Sequence, residues 1–349
     1  MLPDPRPRGA GVHPWHALAD GALAAAIAAA FARNDAADLA AALADAPSTA
    51  AYRRVWNSAA TVAERMDPVA DAAVVTRYFA MPLVLVAGSR GPASVGGVLP
   101  DVAAVCTLLE EKGAVGPTRN FGLSNALVAP EALAAVSPLA VYRALRAVAS
   151  LPEFAPAPIV LAPRSEVAHL RFLVGAGIAP ADAPSFVETA ANIGAWGMPL
   201  AQLLGKQLAQ PGVELLALPR PPLPLLAAVH AGQGVQIEAA FNLFVANELR
   251  RFRLAVGDPA VVISAHQVGT GGAELRITLS TPFDESLTAG FRWPLDPRDD
   301  LPGIVAAIEA LFAECRVHGI EAVPRVLPDL NAQGVPLFPR AGAAGEIRD

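Results

Sequence analysis

Three short apolar runs along the chain end alike, in a Gly or Pro breaker with an arginine just beyond it. The run at 82–87 leads into Gly88, Ser89 and Arg90, the run at 158–162 into Pro163 and Arg164, and the run at 213–218 into Pro219 and Arg220. Runs of this length, rich in Val, Ile and Leu, read as buried strands. Segments able to form helices follow each of them. Strands alternating with helices build a mostly parallel sheet, whose strand ends gather on one edge where ligands usually sit. The pattern therefore predicts a mostly parallel α/β region with three guanidinium groups close together.

That region is expected over 79–233. Inside it, helices are predicted at about 100–112, 138–149 and 165–174, the last opened by the capping residue Ser165 with Glu166 in its first turn. Asp101 is placed to favour the positive N-terminal end of the first of these. Residues 113–129 read as a loop, with 121–125 as a compact turn, and 180–210 as two helices, the second over 198–210. Ahead of the region, 1–14 reads as a Pro-, Gly- and Arg-rich arm. Helices are predicted at 15–33, 35–45 and 49–66, and a short one follows Asp67 and Pro68. Residues 1–78 are thus an arm and a helical extension.

From 234 the periodicity changes. A long helix over 236–256 carries Ile237, Phe241, Phe244, Leu249 and Phe252 on one stripe. Strands follow at 260–266, 274–280 and 288–293, the first two joined by a Gly-rich hairpin. Leu275, Ile277 and Leu279 alternate with Arg276, Thr278 and Ser280, while Phe291 and Trp293 alternate with Gly290 and Arg292. Strict alternation predicts a sheet with one packed and one wet face. A helix over 301–317 and a strand over 321–327 complete a two-layer α+β unit at 234–328, of order α-β-β-β-α-β. Residues 329–349 read as a flexible Pro/Gly/Ala tail. The fold class is α/β plus α+β.

The chain has 26 basic and 32 acidic residues, a formal charge of −6. That balance argues against a general nucleic-acid partner, which needs a basic face. No stretch reaches the roughly 18 apolar residues of a membrane span. Arg6 and Arg8 ahead of the apolar stretch 22–32 have the layout of a secretory signal, but Leu23, Ile27 and Phe31 recur at amphipathic-helix spacing, and the helix is the reading taken. Cys106 and Cys315, far apart and without CxxC spacing, suit reduced thiols in the cytoplasm.

Candidate chemistry is sparse. The loop 88–97, which includes Gly91, lies between a strand and a helix, where free amides bind anions, but it lacks the Gly-Lys-Ser/Thr of a phosphate loop. Arg90, Arg164 and Arg220 gain interest together, since guanidinium groups grip carboxylates and phosphates in two-pronged geometry. His266, expected exposed at a strand end, could serve a Ser–His site with Ser89, yet no GxSxG elbow exists. No catalytic set, metal site or cofactor is expected. The sequence points to a non-catalytic assembly, scaffold or adaptor protein acting through a protein partner or self-association. The alternative is an enzyme or binder holding a small anionic ligand at Ser89, Arg90, Gly91, Arg164 and Arg220.

Overall fold

The computed structural model describes residues 12–64, 74–115, 119–146, 154–164, 166–180, 193–269, 272–281, 286–331 and 333–341. Most of the expected arm, the short helix after Pro68 and the first of the two helices in 180–210 lie outside the described residues. The architecture is mixed α and β, as expected. It divides into a central unit of residues 18–40 and 56–239 and a C-terminal unit that joins 1–17 and 41–55 to 240–349.

In the central unit β1 (Val74–Ser89), β3 (Arg119–Val128), β5 (Glu166–Pro180) and β6 (Val213–Pro219) form a sheet of order β3-β5-β1-β6, and the short β7 (Leu223–Pro224) also pairs with β1. Every pairing in it is antiparallel. The expected mostly parallel sheet is therefore corrected. The segment expected as a helix at 165–174 belongs to β5, and the expected loop at 113–129 contains β3. The second apolar run is β4 (Ile159–Leu161), which leaves the large sheet and pairs with β2 (Ala93–Val95) in a ribbon of its own. Strands buried on both faces are apolar at every position, so their sequence shows neither period nor direction.

Helices cover the sheet. On one face, Phe79, Met81, Leu83 and Leu85 of β1 meet Val105 and Leu109 of α4 (Val102–Glu111) and Trp196, Leu200 and Leu204 of the helix Ile193–Gln207. The Asp101 side chain caps α4, accepting from the Ala104 N–H at 3.0 Å. On the other face Gly232 belongs to the long helix Leu225–Ala255; a Cβ there would stand 2.7 Å from the Phe172 ring, so glycine lets helix and sheet close up. Among the described residues the remaining α-helices are α1 (Asp20–Ala32), α2 (Ala37–Ala44), α3 (Thr49–Glu64), α5 (Pro130–Ala134), α6 (Pro138–Arg146) and α9 (Leu301–Glu314). The helices at 193–207 and 225–255 are thus α7 and α8. Leu23, Ile27 and Phe31 are buried along α1, matching the expected stripe.

The C-terminal unit follows the expected element order, with β8 (Ala260–Val268), β9 (Gly272–Ser280), β10 (Thr288–Pro294), α9 and β11 (Ile320–Pro328) after α8. The sheet order is β10-β9-β8-β11, with β11 parallel to β8. Of the four residues expected to pack inward, Leu275, Ile277 and Trp293 are buried and Phe291 is half-buried, and Phe241 makes ring contacts with Phe291, Trp293 and Phe312. The expected wet face is corrected. Arg276 and Thr278 are fully buried and Ser280 nearly so, while Arg292 remains exposed. The cause is the segment after β11, which is seated on that face: the carbonyls of Asp329 and Leu337 accept from Arg276, and Leu337 packs with Val262, Val323 and Leu327.

Candidate functional site

The antiparallel register decides which of the expected site residues meet. β1 ends at Ser89, whose hydroxyl donates to the Gly91 carbonyl at 2.6 Å. The Arg164 N–H donates to the Ser89 carbonyl at 2.8 Å, with Arg164 itself at φ 57°. Ser89, Arg90, Gly91 and the Arg164 backbone therefore share one end of the sheet. Arg220 does not join them. Ser89 pairs with Val213, whereas Leu83 pairs with Pro219, and the Arg220 N–H donates to Pro82. Six residues of strand separate the two levels, about 20 Å. The shared site of three arginines is thus corrected.

A cavity of about 750 Å³ opens where Ser89 and Arg90 lie, lined also by Val86, Gly88, Glu166, Gly212, Glu214 and Leu216. Arg90 is the one arginine named in its lining, which also holds two carboxylates. Glu166 and Glu214 would repel an anion, so the arrangement is poorly matched to phosphate or carboxylate. Its walls are mixed: polar at the strand ends, apolar along β6.

β6 is the feature the sequence reading passed over. It has one strand neighbour among the described residues, β1, and so forms an edge of the sheet. Val213, Leu215 and Ala217 turn inward beneath α7, and Ala217 is fully part of the core there. The alternate residues Glu214, Leu216 and Leu218 are exposed, Leu216 at 54% and Leu218 at 38%. Edge strands are usually blunted by lysines, prolines or bulges, because their unpaired backbone invites another strand. In β6 the proline comes only at its final residue, and Leu216 and Leu218 stand exposed ahead of it. The signal was visible as an apolar run ending in Pro, but period-2 exposure appears only once the neighbours are known.

A second polar cluster lies in the C-terminal unit. The His266 Nδ1–H donates to the Pro328 carbonyl and its Nε2 accepts from the Ser264 hydroxyl, each at 2.8 Å. Burial lowers the His266 pKa to about 4, with the Pro328 carbonyl opposing that shift and Arg276 adding to it. The neutral ring has the polarity of a Ser–His pair. Both side chains are fully buried, however, which shuts out substrate. Arg276 next to them forms ion pairs with Glu274 and Asp329, and the Phe338 ring lies under its guanidinium at 5.4 Å. This cluster fastens the segment after β11 to the sheet. Ser89, the serine expected to pair with His266, donates instead to the carbonyls of Gly91 and Gly212.

Among the described residues no group of three or more His, Cys, Asp or Glu side chains is placed to hold a metal ion, and no helix is long and apolar enough to cross a membrane. No protein family, curated protein or solved structure matches the chain.

Proposed function

We propose that the protein is a non-catalytic assembly protein that docks an extended segment of a protein partner along the edge strand β6. The observation carrying this reading is the pair of exposed leucines, Leu216 and Leu218, on an edge strand whose alternate residues Val213, Leu215 and Ala217 pack into the core. Strand addition draws affinity from backbone hydrogen bonds and specificity from alternate side chains, and β6 offers both. The two cysteines are unpaired, which favours action in the cytoplasm.

The test places charges on the edge by changing Leu216→Lys and Leu218→Lys together, the device natural edges use. Both side chains are solvent-facing, so folding should survive, as thermal melts will check. Wild-type protein should retain its partner in affinity capture and protect the Leu215 and Ala217 amides from hydrogen exchange. The double variant should lose both. Unchanged capture by the variant would refute docking at β6. The small-anion reading keeps one supporting observation, the Arg90 and Arg164 positions at one sheet end, and a thermal shift with phosphate or acetate addresses it.

A further inference from the structure

We infer that the strand docked on β6 is β6 of a second copy of this chain, the two running antiparallel with Ala217 on the two-fold axis; this rests on the docking reading above. Backbone parity sets the first constraint. The Arg220 N–H donates to Pro82 of β1, and hydrogen-bonding direction alternates along a strand. Even-numbered residues of β6 therefore bond toward β1, and odd-numbered ones face the open edge. Val213 spends its N–H on Gln210, and Pro219 has none, which leaves Leu215 and Ala217 as the outward donors. A symmetric pair must oppose odd residues to odd residues. With the axis at Ala217, its N–H meets the partner's Ala217 carbonyl, and the Leu215 N–H meets the carbonyl of the partner's Pro219.

Side chains choose among the registers that parity permits. With the axis at Ala217, the exposed face sets Glu214 opposite the partner's Arg220 and Leu216 opposite the partner's Leu218, and symmetry repeats both pairs. Opposite charges and apolar pairs directly across strands are favourable. Moving the axis to Leu215 sets Glu214 against the partner's Leu216. At Leu216 it sets Glu214 against the partner's Leu218, and at Leu218 it sets Leu216 against the partner's Arg220. Only the Ala217 axis matches charge with charge and leucine with leucine. A two-fold interface needs such a self-complementary patch. It also gives Arg220, which no shared anion site uses, a partner.

The test uses the full chain. Light scattering over a concentration series should report a dimer. Glu214→Arg or Arg220→Glu alone puts like charges opposite at both symmetric positions and should weaken the dimer by roughly tenfold or more. The combined Glu214→Arg, Arg220→Glu variant should restore it, a rescue that mere surface damage would not give. Glu214→Cys mixed with Arg220→Cys should form an intersubunit disulfide under mild oxidation. Thermal melts confirm that each variant is folded. A monomer at every concentration overturns the inference, as does a dimer indifferent to both single charge reversals. Should the monomer still lose partner capture on changing Leu216 and Leu218 to lysine, strand docking stands and the second copy is excluded. If capture also persists, the docking reading itself falls.

Discussion

The Arg276 guanidinium is fully buried, with Glu274 and Asp329 as counter-charges and two carbonyls completing its donors. Removing one partner from a buried charge network leaves the others desolvated and unpaired, typically at about 3–5 kcal/mol. Arg276→Ala should therefore lower stability by that order in urea unfolding; a change under about 1 kcal/mol would mean that Asp329 and Glu274 reach water without it. His266 adds a pH dependence of defined sign. Its folded pKa lies near 4, below the ordinary 6.5, so the folded state resists protonation. The stability it contributes is complete above pH 6.5 and is lost as pH falls from there toward 4. After allowance for screening, the loss at pH 4.5 should be about 1–2 kcal/mol, read from melts of wild type against His266→Gln. None of this was legible locally. Arg276, Thr278 and Ser280 alternate with apolar residues as any wet face does, and the covering residue Asp329 is 53 positions away in the chain.

At the scale of elements, periodicity was readable wherever one face of an element meets water or a single layer. Helices α1, α4 and α9 fall where amphipathic spacing and turn residues put them, and the α-β-β-β-α-β order is as expected, but its first helix, expected at 236–256, begins at Leu225 and runs through the expected boundary at 234. It failed in β5, where Leu170, Phe172, Leu173 and Val174 are all buried. A strand covered on both sides looks like a buried helix, and Ser165 with Glu166 mimicked a helix start. Composition misled after β11 as well. A Pro- and Gly-rich segment reads as a tail, yet the described residues after β11 are pinned by Asp329 and by Phe338, whose ring lies over Gly290. A Cβ at 290 would stand 2.4 Å from that ring. Gly290→Ala should displace the ring and loosen the segment, at about 1–3 kcal/mol. Faster hydrogen exchange around Leu337 and earlier proteolysis after β11, with β8 to β10 still protected, are the expected results. An unchanged exchange rate there would mean that Phe338 has room to move aside.

Across the whole molecule, the two units carry titrating groups of opposite sign. His266 belongs to the C-terminal unit and weakens it in acid. Glu64 belongs to the central unit, where its carboxylate accepts from the Leu226 N–H at 3.1 Å, at the start of α8. Burial raises its pKa from 4.5 to about 7, partly offset by that hydrogen bond. Here the folded state favours the proton, so the contribution is complete below pH 4.5 and is lost as pH rises through 7. The full shift corresponds to about 3 kcal/mol. Glu64→Gln keeps an acceptor for Leu226 and removes the charge. At pH 8 the variant's central unit should melt roughly 5 °C above wild type, and at pH 4.5 the two should coincide. Tryptophans separate the readouts, since Trp56 and Trp196 lie in the central unit and Trp15 and Trp293 in the C-terminal one. Fluorescence melts of Phe-substituted variants that keep one pair at a time would assign each transition. A Glu64→Gln curve parallel to wild type from pH 4.5 to 8 would show that the carboxylate is solvated in the folded protein. The burial of Glu64 at the head of α8 would then be wrong, and with it the pH-dependent weakening of this unit above neutrality.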